Sequence, residues 1–145
     1  MTEGGEPPPI SAAFLLMALG RRIRERVEDG LAAEGIAMRH LSALGHLAGS
    51  PGISYSELAR RTGVTPQSMQ ATLTALEGRG AVARDTDPGR GRTAALHVTA
   101  EGHRLREAGR EVVAAVDDDL RTRLDDERHQ VMTDALLALF RGDGD

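Results

Sequence analysis

Two short stretches of the chain carry side chains whose chemistry suits hydrogen bonding to a polyanion. The first lies within residues 65–72 and provides five hydroxyl or amide side chains and one small apolar residue: Thr65, Gln67, Ser68, Gln70, Ala71 and Thr72. A glutamine can pair with adenine through two hydrogen bonds, and serine or threonine can contact phosphates or bases. The second stretch sets Arg90 and Arg92 among glycines, and arginine favours the negative potential of a narrow minor groove. For Gln67 and Gln70 the alternative is an ordinary solvent-exposed helix residue.

The charge of the chain is unevenly distributed, although its formal net charge is only −4. From Arg60 to Arg92 there are six arginines and three acidic residues, whereas Asp117 to Asp145 holds four arginines and nine acidic residues. A local basic region in an acidic protein is the electrostatic pattern expected of a nucleic-acid-binding surface. A solvated basic face on a protein-interaction module would produce the same pattern, and that alternative stays open.

Composition excludes several kinds of chemistry. The chain of 145 residues has no cysteine, so disulfides, thiolate metal sites, cysteine nucleophiles and thiol redox sensing are excluded. No nucleophile, base and orienting group can be assembled, so we expect no enzymatic activity and no cofactor. The five histidines lack tight ligand spacing, and we predict no metal site, although one built from His40, His103 and nearby acids stays open.

The chain also lacks the pattern of a membrane protein. Its longest apolar run, Ile10 to Leu19, is shorter than the ~20 residues that a membrane-spanning helix needs. Residues 1–9 carry two glutamates and no basic residue, unlike a secretory signal peptide. We therefore expect a cytoplasmic protein with no membrane partner.

Hydrophobic spacing predicts the elements that would position the polar side chains. Residues 1–9 are rich in Gly, Pro and Glu and are predicted to be a disordered tail. Apolar residues recur every four positions in a first helix within 10–34, and a second helix follows over 37–48. Four residues are suited to capping the starts of the later helices: Ser54, Thr65, Thr99 and Asp125.

Between the fourth and fifth helices the apolar period changes to two. This predicts a β-hairpin from the runs 81–87 and 93–98, with a basic turn between them. The last helix is expected to direct Val131 and Leu139 inward. The predicted order is helix, helix, helix-turn-helix, hairpin, long helix, helix, which makes the protein mainly α with a small β-hairpin.

Several short motifs occur in a fixed order along this pattern. They are Leu58-Ala59, Gly63, Leu76-Glu77, Arg79-Gly80, Asp87-Pro88 and the Thr99-x-x-Gly102 that opens the fifth helix. Taken together, the run from Ser54 to Gly102 resembles the MarR family of bacterial transcriptional regulators, and the flanking helices agree in length and order. The resemblance implies a winged helix-turn-helix over 37–99 and a helical dimerisation region formed by 10–34 and 100–141.

The resemblance also implies that the protein is a repressor that binds double-stranded DNA, and it indicates which residues would contact that DNA. The major-groove contacts would be Thr65, Gln67, Ser68, Gln70, Ala71 and Thr72, which lie near the start of the recognition helix. Arg90 and Arg92 would form the hairpin wing in the minor groove. The phosphate contacts would be Arg60, Arg61 and Arg84. The chain departs from the family pattern at Arg90, where an acidic residue is usual, and at Ala71, where many members carry arginine.

The terminal helices are predicted to form a homodimer. Their apolar residues occupy more than one face, and a helix that is apolar all round is normally buried; packing within one chain is the alternative. A two-fold dimer would bind a near-palindromic operator with half-sites about one DNA turn apart. The resemblance further implies a small anionic aromatic or phenolic effector that releases the DNA. The candidate pocket residues are Phe14, Met17, Arg21, His40 and Leu44.

Overall fold

The structure is a computed structural model that describes residues 10–85 and 95–142. Its helices are α1 (Ala12–Ala32), α2 (Met38–Gly49), α3 (Tyr55–Thr62), α4 (Pro66–Gly78), α5 (Ala100–Leu124) and α6 (Asp126–Gly142). Its strands are β1 (Val82–Arg84) and β2 (Leu96–Val98). The predicted fold class, mainly α with a small hairpin, is confirmed. The predicted tail at 1–9 and the hairpin tip, including Arg90 and Arg92, lie outside the described residues.

Local capping chemistry starts the helices where the sequence predicts. The Ser54 hydroxyl accepts from Glu57 N (3.3 Å), Thr65 accepts from Ser68 N (3.1 Å), and Thr99 accepts from Gly102 N (3.2 Å). The Asp125 carboxylate accepts from Arg128 N (2.9 Å) at the start of α6. Each bond satisfies a backbone donor that the first turn of a helix leaves without a partner.

A leucine-rich core joins the end of α1 and helices α2, α3 and α4 to the hairpin and to α5. Its fully buried side chains are Leu31, Leu44, Leu47, Leu58, Leu73, Leu76 and Leu105. Aromatic residues make up only 2% of the chain, so aliphatic packing supplies the apolar burial that stabilises the fold. This core holds α3 and α4 in a fixed relation to each other.

The hairpin is attached to α5 by a close backbone approach. β1 and β2 are antiparallel, with Val82 opposite Val98, and Thr99 N donates to the Ala81 carbonyl (3.0 Å). Gly102 packs directly against that carbonyl, and a Cβ atom on Gly102 would also lie 2.6 Å from Val98 Cγ1. Only glycine fits there, because the nearest atom belongs to the backbone.

The outer helices leave apolar surface uncovered within one chain. Phe14 near the start of α1 is 73% exposed and Phe140 near the end of α6 is 82% exposed. The prediction that Val131 and Leu139 face inward was wrong, because each is 64% exposed. Their helix packs mainly on α5, and one neighbouring helix covers only one face. No helix in the described ranges is long and apolar enough to span a membrane.

Candidate nucleic-acid interface

The N-terminal half of α4 presents polar side chains to solvent. Thr65 caps the helix, Pro66 occupies its first turn, and Gln67, Ser68, Gln70 and Ala71 are all exposed. The opposite face of α4 is buried through Met69, Leu73 and Leu76. Core packing therefore holds the exposed face in place, and the positive end of the helix dipole lies at the same end.

Thr72 does not belong to that exposed face. It is 6% exposed and lies three residues after Met69, on the side of α4 that packs on the core. Residues three and four apart share one helix face, so the spacing from Met69 and to Leu76 already indicates burial. The assignment of Thr72 to a base contact is corrected on this ground.

The predicted phosphate-contact arginines are paired with carboxylates. Arg60 Nε donates to Glu57 Oε2 (2.9 Å), and Arg61 donates to Glu57 Oε1 (3.3 Å) and to Ser50 Oγ (2.8 Å). The hydrogen bond from Arg60 lowers the pKa of Glu57 to about 2, with Arg61 adding to the effect. The Glu57 carboxylate is therefore ionised at neutral pH, and this cluster keeps one positive charge in excess.

Arg84 has a similar arrangement beside the hairpin. Its Nε donates to Glu77 Oε1 (2.9 Å) near the end of α4. Both side chains are about one-third exposed, so a phosphate could replace the carboxylate without disturbing the core. Pairing of this kind at a surface stabilises a fold only slightly, and it holds the guanidinium near the helix.

The five side chains predicted to line an effector pocket lie in different environments. Leu44 is fully buried in the core and His40 is 9% exposed, whereas Phe14 and Met17 are each 73% exposed and Arg21 is exposed on α1. A ligand could touch Leu44 only by displacing its core neighbours. The assignment of Leu44 to the pocket is therefore corrected, because the apolar side of α2 is used for packing.

A cavity of about 460 Å³ lies between α1, α2 and the helix-turn-helix. We call it the lobe crevice. Its polar and charged lining is Arg24, Arg39, Ser42, Thr62, Ser68 and Thr72. Met38 of α2 and Val64, which precedes α4, supply apolar surface. The sequence did not single out Arg24 and Arg39, because each occupies a position in the helical pattern where any solvent-exposed residue would be expected.

His40 stabilises the connection between α1 and α2 as a neutral imidazole. Its Nδ1 accepts a hydrogen bond from Ala37 N (2.9 Å) at the start of α2. Burial lowers the pKa of His40, and the nearby charges of Arg39 and Arg79 lower it further. A protonated Nδ1 could not accept this bond, so burial and hydrogen bonding both favour the neutral form.

Acid is therefore expected to destabilise the fold through His40. The unfolded chain binds a proton at His40 near its ordinary pKa of 6.5, whereas the folded chain does so only at lower pH. The stabilising contribution is complete above pH 6.5 and is lost as the pH falls through the folded-state pKa. Urea unfolding of the natural protein and of His40→Gln from about pH 8 to about pH 5 should show the natural protein losing more stability. A pH-independent difference between the two would contradict this expectation.

Metal-ligand geometry is absent from the described ranges. Among residues 10–85 and 95–142, no three His, Asp or Glu side chains converge as metal ligands would. His103 is exposed on the first turn of α5, and His40 Nδ1 is occupied by Ala37 N. The absence of metal, cofactor and enzymatic activity stays a prediction.

The fold and this surface define a helix-turn-helix protein with an attached hairpin, and comparison with known proteins agrees. Residues 34–93 match the MarR family. The HTH-type transcriptional repressor Rv2887 of Mycobacterium tuberculosis is 38% identical over 111 residues, which is 77% of this chain and 80% of that protein. The chain belongs to the MarR family of winged helix-turn-helix transcriptional regulators.

Solved structures of that relative show the same fold. The Rv2887 complex with DNA has a TM-score of 0.76 at 32% identity, covering 90% of this chain and 98% of that chain. The Rv2887 complex with salicylic acid has a TM-score of 0.72 at 33% identity, covering 92% and 99%. MepR of Staphylococcus aureus, a regulator of a multidrug efflux pump, shares the fold at 18% identity with a TM-score of 0.78.

Proposed function

We propose that this protein is a transcriptional repressor that binds a specific double-stranded DNA sequence as a homodimer. The observation that carries the proposal is the exposed polar face of α4, with Gln67 and Gln70 held in place by the buried face of the same helix. A rigid helix with amide side chains near its N-terminus fits the major groove and can distinguish its bases. The DNA-bound structure of Rv2887 supports the same role for this fold.

The uncovered apolar surface supports the homodimer. Exposed apolar residues concentrate in the first half of α1 and the last half of α6, including Phe14, Met17, Leu139 and Phe140. Large exposed apolar side chains gathered in one part of a helix mark an interaction site. A two-fold dimer would place two copies of α4 on one side of DNA, so the operator is expected to be near-palindromic.

Fluorescence anisotropy tests this function directly. The labelled duplex is the DNA upstream of the gene for this protein, and the control is a scrambled duplex of the same composition. A repressor should bind the first duplex with a Kd of about 10⁻⁸–10⁻¹¹ M and the scrambled duplex at least about a thousandfold more weakly. Absence of binding to both duplexes would contradict the proposal and favour a protein-interaction module.

Arg60 is expected to contribute a phosphate contact. Exchanging its Glu57 pairing for a DNA phosphate releases a counterion, so Arg60→Gln should reduce the slope of log affinity against log salt by about one unit. Affinities measured between about 50 and 200 mM salt give that slope. Arg110→Gln is the matched control, because Arg110 is an exposed arginine of α5 paired with its own helix neighbour Glu107. An unchanged slope for Arg60→Gln would reject the contact.

We further propose that a small anionic aromatic ligand releases the DNA by binding in the lobe crevice. Arg24 and Arg39 could pair with a carboxylate, while Met38 and Val64 offer apolar surface to a ring. Ser68 and Thr72 of α4 line the same crevice, so a ligand there would contact the helix that binds DNA. The salicylic acid complex of Rv2887 supports this class of ligand.

Salicylate titration of the protein–DNA complex tests the effector. Saturating salicylate should weaken operator binding by about 5- to 150-fold, the usual range of coupling between two sites. Arg39→Gln should shift the salicylate concentration needed for release upward, whereas Arg110→Gln should not. Release at the same concentration from all three proteins would place the ligand elsewhere.

A further inference from the structure

One arginine connects the end of the recognition helix α4 to the end of α1. Arg79 is the C-cap residue of α4. Its Nη1 donates to the carbonyl oxygens of Glu34 (2.7 Å) and Gly35 (2.8 Å). These carbonyls lie just beyond Ala32, where α1 ends. Glu34 and Gly35 belong to the connection between α1 and α2, so Arg79 links the end of α4 to the segment that immediately follows α1.

The electrostatics of the α1 terminus favour this bridge. The C-terminal end of a helix carries partial negative charge, and the Glu34 and Gly35 carbonyls follow the end of α1 within three residues. The last turn of α1 has no basic residue of its own, so the cation comes from Arg79, more than forty residues further along the chain. An arginine is charged at every physiological pH, and the bridge therefore persists across that range.

The segment that Arg79 holds is also fixed from other directions. Gly35 adopts φ of +70°, and a Cβ atom there would lie 3.0 Å from Arg79 Nη1. Ala37 N donates to His40 Nδ1 (2.9 Å), and Arg104 of α5 donates to the Glu34 carboxylate (3.3 Å). Side chains of α2, α4 and α5 therefore all hydrogen-bond to the connection between α1 and α2, and Arg79 joins α4 to a segment that is held in place.

We propose that Arg79 is a positioning residue that sets the orientation of the recognition helix relative to α1. The inference rests on the proposed function, in which α1 belongs to the dimer interface and two copies of α4 bind two half-sites. Fixing α4 to α1 in each protomer would then fix the distance and angle between the two recognition helices. Arg79 would determine which half-site spacing the dimer accepts, without touching the DNA itself.

Operator spacing provides a readout that a loss of stability would not change. The duplexes are the operator found upstream of the gene and two variants with one or two base pairs inserted at its centre. Two added base pairs rotate one half-site by about 70° relative to the other, since a DNA turn holds about 10.5 base pairs. The natural protein should bind the two-base-pair variant about 30-fold or more weakly than the operator.

Arg79→Gln should bind the operator more weakly than the natural protein. Its affinity for the two-base-pair variant should be less than about threefold below its own affinity for the operator. Arg79→Lys keeps the charge and the apolar stem, and it serves as the second variant if Arg79→Gln does not fold. Arg110→Gln is the control and should keep the natural spacing preference. The salt slope should stay unchanged in the Arg79 variants, because no phosphate contact is lost.

The outcomes separate the two proposals. The first outcome is that the natural protein prefers the operator to the inserted duplexes and both Arg79 variants show the same ratio of the two affinities. The positioning role is then overturned and DNA recognition stands. Equal weakening of every duplex by the variants would also overturn it, since that result indicates a general loss of fold. If the natural protein binds no duplex, the proposed function fails, and the positioning role fails with it.

Discussion

Replacing Leu139 and Phe140 together by glutamate is expected to convert the dimer into monomers and to lower operator affinity about a hundredfold or more. Both side chains lie near the end of α6, at 64% and 82% exposure in the isolated chain. In the proposed dimer they pack against apolar surface of the partner. Unpaired carboxylates buried there would cost more free energy than the lost apolar contacts. A monomer reaches one half-site at a time, which removes the gain from simultaneous binding.

Light scattering and anisotropy measure the two consequences separately. The double variant should have the mass of one chain at micromolar concentration, and its far-ultraviolet circular dichroism should keep the helical signal, because the leucine core lies elsewhere. Gln130→Glu is the control, since Gln130 is exposed on the same helix and the added charge near Asp134 should cost only a few tenths of a kcal/mol. A double variant that remains dimeric would show that α6 is not the interface.

Gly102→Ala is expected to lower the free energy of unfolding by about 3 kcal/mol, at the upper end of the cost of overpacking. The added methyl group would overlap the Ala81 carbonyl and approach Val98 Cγ1 at 2.6 Å. The Ala81 carbonyl is held in place, because it accepts from Thr99 N at 3.0 Å. Relief would require the start of the hairpin to move away from α5, breaking that bond.

Thermal unfolding gives the test. A loss of about 3 kcal/mol corresponds to a Tm lowered by about 6–12 °C in a chain of this size. Gly45→Ala is the matched control: a Cβ atom there meets nothing within 4 Å, and alanine within a helix is more stable than glycine by about 0.5–1 kcal/mol. If Gly102→Ala melts with or above the natural protein, the close approach to Ala81 does not constrain the fold.

Elements set by short-range chemistry were predictable from the sequence. Caps such as Thr65 and Thr99 bond to a backbone group three residues away, so their geometry depends on a few neighbouring residues. The exposed face of α4 follows from helical periodicity in the same way, and the ordered motifs were enough to indicate the family. Thr72 was mistaken although its spacing from Met69 indicated burial, because the polar character of its side chain was given more weight.

Only the tertiary structure decided which distant groups meet. The pairing of Arg84 with Glu77, the bridge from Arg79 to Glu34 and Gly35, and the convergence of Arg24 and Arg39 on one crevice all join separate elements. An exposed arginine has the same sequence pattern whether it contacts a carboxylate, a carbonyl or water. By itself the sequence determined where the helices begin, which polar residues lie near the start of α4 and that the terminal helices carry apolar residues on more than one face. The packing of the whole chain decided the partners of the arginines and the exposure of Val131 and Leu139 on α6, because both depend on how all the helices fit together.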